Sequence, residues 1–141
     1  MKNIKNYFLL TRPLNMLISG LAMVVSAAIL DSLDETRTSV LIVLTVMSYT
    51  AAANVINDVL DLEIDKINRP FRPIPSKNLK KGTVLKFSFT LFLIGSVLAL
   101  QLSPSAQFIS LVISMPLMIV YSTHLKSKPL IGNIAVSFII G

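Results

Sequence analysis

Charge is missing from three long stretches of this 141-residue chain: residues 13–30, 38–57 and 87–125, with His124 counted neutral. A hydrocarbon core about 30 Å thick asks a helix for about 20 successive apolar residues, and each stretch supplies one or more such runs. Composition agrees, with 53% hydrophobic residues and 14% charged against about 25% charged in an ordinary soluble domain, and a mean hydropathy of +0.73. A polytopic helical membrane protein is therefore expected. The spans read as about Leu14–Leu30, Thr38 or Ser39 to Asp61, Thr83–Leu102 and Ala106–Tyr121, with a fifth starting near Leu130. Pro116 falls inside the fourth, where neighbouring helices can re-satisfy the backbone it frees. The stretch from Lys66 to Gly82 is too rich in proline to continue a helix, because residues before proline are biased away from helical angles.

Twelve of the thirteen basic residues fall in the N-terminal arm, in 66–86 and in 124–128; Arg37 alone lies among Asp31, Asp34 and Glu35. Alternate loops thus agree, and the positive-inside rule places the N-terminus and the loop after the second span in the cytoplasm of a multi-pass cell-membrane protein. The net charge of +6 follows from this topology and calls for no nucleic acid. No cysteine is present, which excludes disulfides and thiolate chemistry. Lys2 and Lys5 ahead of an apolar stretch resemble a signal peptide, but the stretch exceeds the usual h-region and more membrane follows it. From Pro129 to Gly141 only 13 residues remain for the fifth span, about 20 Å of helix. Residues 1–141 are therefore expected to be the N-terminal part of one membrane-embedded domain whose second half is absent.

Acidic residues gather where the second span ends, in Asn57-Asp58-Val59-Leu60-Asp61-Leu62-Glu63-Ile64-Asp65. At about 100° per residue, Asn57, Asp61 and Asp65 share one narrow helix face, with Asn54 and Asp58 beside them and Glu63 opposite. Acidic groups at a helix C-terminus oppose the macrodipole, so something positive must compensate. Oxygen ligands on successive turns suit Mg²⁺, which takes one or two carboxylates together with substrate phosphates. Arg69 and Arg72 follow at once, each directly before a proline, Pro70 and Pro73, and guanidinium groups bind phosphate oxygens bidentately. A Mg²⁺–diphosphate site at a membrane face is the reading these residues support. Two other readings stand beside it: a cation-transporter segment, in which intramembrane carboxylates meet the transported ion, and an inactive membrane fragment.

The run Asn57-Asp58-x-x-Asp61-x-x-x-Asp65 with Asn68-Arg69-Pro70-x-Arg72-Pro73-Ile74-Pro75-Ser76 resembles the first aspartate-rich motif of the UbiA-type intramembrane prenyltransferases. Thr11-Arg12-Pro13-x-Asn15, Tyr121-Ser122-x-x-Leu125-Lys126 and Leu130-x-Gly132-Asn133 are similar as well. Within the family, this version of the motif looks most like that of the archaeal-type digeranylgeranylglyceryl phosphate synthases. One departure is Lys77, where a glycine usually follows the serine.

The resemblance implies an all-α bundle of nine transmembrane helices, of which this chain would hold about five, the fifth cut short. It implies Mg²⁺-dependent transfer of a prenyl group, here geranylgeranyl, from an isoprenyl diphosphate to a lipid acceptor such as geranylgeranylglyceryl phosphate; an aromatic or tetrapyrrole acceptor is the alternative. Carried over by position, Asn57, Asp61 and Asp65 would ligate metal, and Asp58 is counted with them as a metal-ligand candidate. Arg69, Arg72 and Lys126 would meet the diphosphate, and Arg12, Asn15, Asn54 and Tyr121 would line the substrate cavity. The catalytic set would be Asp61, Asp65, Arg72 and Lys126. The family's second aspartate-rich motif is not found in these residues, so the chain alone is expected to supply half of the metal–diphosphate centre.

Overall fold

The computed structural model describes residues 2–32 and 34–125. All regular structure among them is helical: α1 (Lys2–Leu10), α2 (Pro13–Ile29), α3 (Thr36–Leu60), α4 (Leu62–Asn68), α5 (Lys81–Ala99), α6 (Pro104–Gln107) and α7 (Met115–Val120). A π-helical turn at Phe108–Ser114 joins α6 to α7, and a second at Tyr121–Leu125 continues the same rod past α7. Three helical stretches are long and apolar enough to cross a membrane: Thr36–Leu60, Lys81–Ala99 and Pro104–His124. A fourth is available if the α1–α2 pair, bent by 50° between Leu10 and Pro13, is taken as one span. The expected fifth span lies outside the described residues.

Helix α3 is the hub, packed against α2 on one flank and α5 on the other. Small residues let the backbones approach, the usual means of association where lipid removes the hydrophobic drive between helices. Ala51, Ala52 and Ala99 are fully buried, and the buried Ser88 hydroxyl donates to the Ala52 carbonyl at 2.9 Å. Gly95 of α5 sits against the Tyr49 ring, whose hydroxyl pairs with Ser96 Oγ at 3.1 Å. Outward faces carry Leu17, Leu21, Phe89, Leu93 and Phe108, all exposed, as lipid-facing positions should be.

Local chemistry sets the element ends. Pro13 opens α2 at a position whose N–H would be unpaired anyway, and Pro104 does the same for α6. The Gln107 amide closes the far end of α5, donating to the carbonyls of Leu100 and Leu102 at 3.0 and 2.9 Å. Between α4 and α5 the proline-rich connection folds back on itself, with Ser76 N–H donating to Arg72 O and Leu79 N–H to Pro73 O. Its Ile74 and Leu79 join Leu10, Val55, Val59 and Val84 in a buried cluster that caps the bundle. The connection is thereby a fixed part of the fold.

Lys77, standing where the family motif has glycine, adopts a left-handed backbone with φ 59°. For a residue with a Cβ that conformation costs about 1–2 kcal/mol. Lys77→Gly is accordingly expected to raise stability by about 1 kcal/mol, read as an upward shift in the thermal midpoint in detergent. A lower midpoint would show that the lysine side chain contributes more than its backbone strain removes.

Candidate active site at the α3–α4 junction

Helix α3 does not run unbroken through the aspartates. It ends at Leu60, Asp61 departs from helical angles (φ −80°, ψ 4°), and α4 restarts at Leu62. The i→i−4 hydrogen bonds nevertheless continue, from Asp61 N–H to Asn57 O at 2.9 Å and from Asp65 N–H to Asp61 O at 2.8 Å. Rotation along the axis is thus kept through the junction. Asp58 and Asp65, seven residues or almost two full turns apart, stay on one side, and a single guanidinium reaches both. Arg72 Nη1 lies 3.1 Å from Asp58 Oδ1 and 2.7 Å from Asp65 Oδ2.

A second arginine arrives from far away in sequence. Arg12, at the elbow between α1 and α2, places Nη2 2.6 Å from Asp58 Oδ1. Its backbone is left-handed, with φ 52° and ψ 72°. One α3 turn earlier, the buried Asn54 donates from Nδ2 to the Thr11 carbonyl at 3.0 Å. Asp58 and Asp65 are 5% and 6% exposed, and charges so far from water need partners. Part of the compensation that the sequence led us to expect from a cation thus comes from Arg12 and Arg72.

These arginines open onto a cavity of about 640 Å³ lined by Leu9, Arg12, Asp58, Asn68, Arg69, Pro70, Phe71, Arg72 and Pro73. Arg69 is exposed there, and three guanidinium groups at one mouth suit a phosphate-bearing ligand. Asn57, Asp61 and Asp65 do not line this cavity. On the neighbouring face, Asn57 Oδ1 is a buried acceptor without a hydrogen-bond partner, and such groups are rare enough to call for an explanation. Asp61, half-buried one turn on, is engaged in an interaction of its own. Among the described residues no three acidic or imidazole groups converge to hold a metal unaided. An amide and a carboxylate oxygen leave the rest of a Mg²⁺ shell to phosphates and water, as that ion prefers. On that count the residues present fit it.

The remaining residues singled out from sequence are dispersed. Asn15 is exposed in the first turn of α2, and Tyr121 is half-buried at the start of the second π-helical turn. Lys126 lies outside the described residues. Sequence reasoning gave no role to Thr11, Asn68 or Phe71. Asn68 sits inside the quoted motif and could have been found there, but nothing in the sequence marked the Thr11 carbonyl or the cavity-lining Phe71, 94% exposed.

Comparison with known proteins places the chain in a family. Residues 16–141 match the model of the UbiA prenyltransferase family. The chain is 41% identical over 140 residues to the digeranylgeranylglyceryl phosphate synthase of Methanoregula boonei, covering 96% of this chain and 48% of that one. With the Methanosarcina barkeri enzyme of the same name it shares 36% over 152 residues, covering 99% and 52%. A solved structure from work on digeranylgeranylglyceryl phosphate synthase in membranes superposes with a TM-score of 0.85 at 32% identity, covering 99% of this chain and 50% of that one. The chain spans about half the length of the curated relatives it matches. With the aspartate–arginine cluster, the apolar helices and these matches in agreement, the chain belongs to the UbiA prenyltransferase family.

Proposed function

We propose that this chain forms the diphosphate-binding part of an intramembrane prenyltransferase that moves a geranylgeranyl group from its diphosphate to geranylgeranylglyceryl phosphate in ether-lipid synthesis. The observation that carries this reading is the pairing of three guanidinium groups at one cavity with a buried, unpartnered Asn57 oxygen on the adjoining face. Similarity to synthases of that name supports the donor and the acceptor. Five of nine family helices, with the N-terminus and the 69–80 connection cytoplasmic, is the topology that goes with it.

In this reading Arg12, Arg69 and Arg72 bind the diphosphate oxygens, and Lys126 adds a fourth cation. Asn57, Asp61 and Asp65 would hold Mg²⁺, which when bound supplies positive charge against the leaving diphosphate. The bond between the allylic carbon and the diphosphate oxygen breaks, with its electron pair going to the diphosphate. The glycerol hydroxyl oxygen then closes on that carbon, and its proton passes to the released diphosphate. Charge develops on the leaving group as the bond stretches, and pre-set guanidinium groups stabilise it without reorganising. Asn15, Asn54 and Tyr121 belong to the walls around the acceptor and the polyprenyl tail, where apolar residues keep water from the allylic cation left when that bond breaks.

Binding of labelled geranylgeranyl diphosphate to the protein in nanodiscs tests this. Affinity should depend on Mg²⁺, and Asp61→Asn should lower it on the order of 100-fold; equal affinity in the variant would remove Asp61 from the site. A chain that binds Mg²⁺ but no diphosphate would favour the cation-transport reading instead. The acceptor is decided by assaying transfer to geranylgeranylglyceryl phosphate against aromatic acceptors with the protein at its cellular length. Product formed with an aromatic acceptor alone would replace the ether-lipid assignment.

A further inference from the structure

We propose that Asp58 is a positioning residue for the phosphate-binding arginines and not a ligand of the cation, an inference that rests on the function proposed above. Its Oδ1 alone takes both guanidinium groups, Arg12 at 2.6 Å and Arg72 at 3.1 Å. A divalent ion at the same oxygen would be crowded against two positive charges, in a place too dry for water to screen them. Asn57 offers the contrasting case, a buried oxygen with nothing on it. Adjacent residues in sequence point to different faces of α3, and the two faces carry different chemistry.

What Asp58 joins matters as much. Arg12 lies 46 residues earlier on the α1–α2 elbow, and Arg72 lies 14 residues later in the connection after α4. Neither segment is a regular helix, so neither fixes its own side chain. Asn54, one α3 turn before Asp58, holds the same elbow through the Thr11 carbonyl. Asn54 and Asp58 together form a two-point latch on the elbow, and Asp58 extends it to Arg72. Asp58 also lines the arginine cavity, whereas Asn57 and Asp61 do not. Its negative charge sets where two cations stand before the ligand arrives, and pre-set positions cut the cost of ordering them on binding.

Asp58→Asn keeps the shape and one acceptor oxygen but removes the charge. Two quantities separate the roles when geranylgeranyl diphosphate is titrated in nanodiscs: affinity at saturating Mg²⁺, and the Mg²⁺ concentration giving half-maximal binding. Asp58→Asn is expected to weaken the first by about 10- to 100-fold and leave the second within about twofold, whereas Asp61→Asn should raise the second by about tenfold or more. A Mg²⁺ half-point raised in Asp58→Asn as in Asp61→Asn would make Asp58 a ligand. Neither quantity changed would make it a bystander. If the wild-type protein binds no geranylgeranyl diphosphate, the proposed function fails, and amide hydrogen exchange then decides this inference separately. Exchange should quicken at Thr11, Arg12, Arg69 and Arg72 in Asp58→Asn but not in Asp61→Asn; equal protection in the two variants would overturn the latch.

Discussion

Arg72→Ala is expected to lose diphosphate binding and to lower stability together, because this residue holds two buried carboxylates at once. Its Nη1 bridges Asp58 and Asp65 at 3.1 and 2.7 Å, and their side chains are only 7% and 8% exposed. Removing one partner of a buried pair leaves the other charged and desolvated, at a typical cost of about 3–5 kcal/mol. Arg12 still answers Asp58 here, and Arg72 keeps some contact with water, so about 2–3 kcal/mol is the expected loss. Arg72→Lys retains the charge but not the planar fork, and should recover part of the stability and little of the binding. Thermal unfolding in detergent and titration with geranylgeranyl diphosphate read the two effects. A stable Arg72→Ala protein would mean that Asp65 is compensated by something other than Arg72.

Gly95→Ala is expected to be the most damaging single-methyl change in the bundle. A Cβ at position 95 would stand 2.6 Å from both Cδ1 and Cε1 of Tyr49, and 3.3 Å from Ser48 Cβ. The ring cannot swing aside. Tyr49 is 2% exposed, its hydroxyl is held by Ser96 at 3.1 Å, and it packs on Phe92 with centroids 5.9 Å apart. Helices α3 and α5 would have to separate, and overpacking of this kind costs about 1–3 kcal/mol; a rigid neighbour puts Gly95 at the upper end. Gly20→Ala serves as the comparison, since its Cβ meets the flexible end of Met47, Sδ at 3.0 Å. The thermal midpoint should fall clearly for Gly95→Ala and little for Gly20→Ala. Equal shifts would show that the α3–α5 seam yields as readily as the α2–α3 seam.

Span boundaries were legible because charge and proline mark them. The expected 14–30 became Pro13–Ile29, and the expected start at Thr38 moved back to Thr36. The Lys66–Gly82 connection proved non-helical except for its first three residues, 66–68, and its last two, 81–82. Helical spacing also put Asn57, Asp58, Asp61 and Asp65 in one neighbourhood, which local geometry alone can do. Contacts across long separations were hidden. Arg12 reads in sequence as a topology signal or a motif residue, and only the folded elbow brings it to Asp58. Asn54 was expected at a substrate cavity, and its further bond to the Thr11 carbonyl had no signal in the sequence. The π-helical turns were invisible for another reason: Phe108–Ser114 has ordinary apolar composition, and a periodicity argument that assumes one fixed step per residue cannot register a change of step.

Arg12 combines two demands that pull against each other. Its backbone angle is one that glycine adopts without penalty, while its side chain supplies half of the charge around Asp58. Selection for a durable fold alone would have put glycine at the elbow, relieving the angle and freeing a costly cation near the membrane. An arginine bent into glycine's conformation records a different priority. At Arg12, holding the buried Asp58 has outweighed ease of folding.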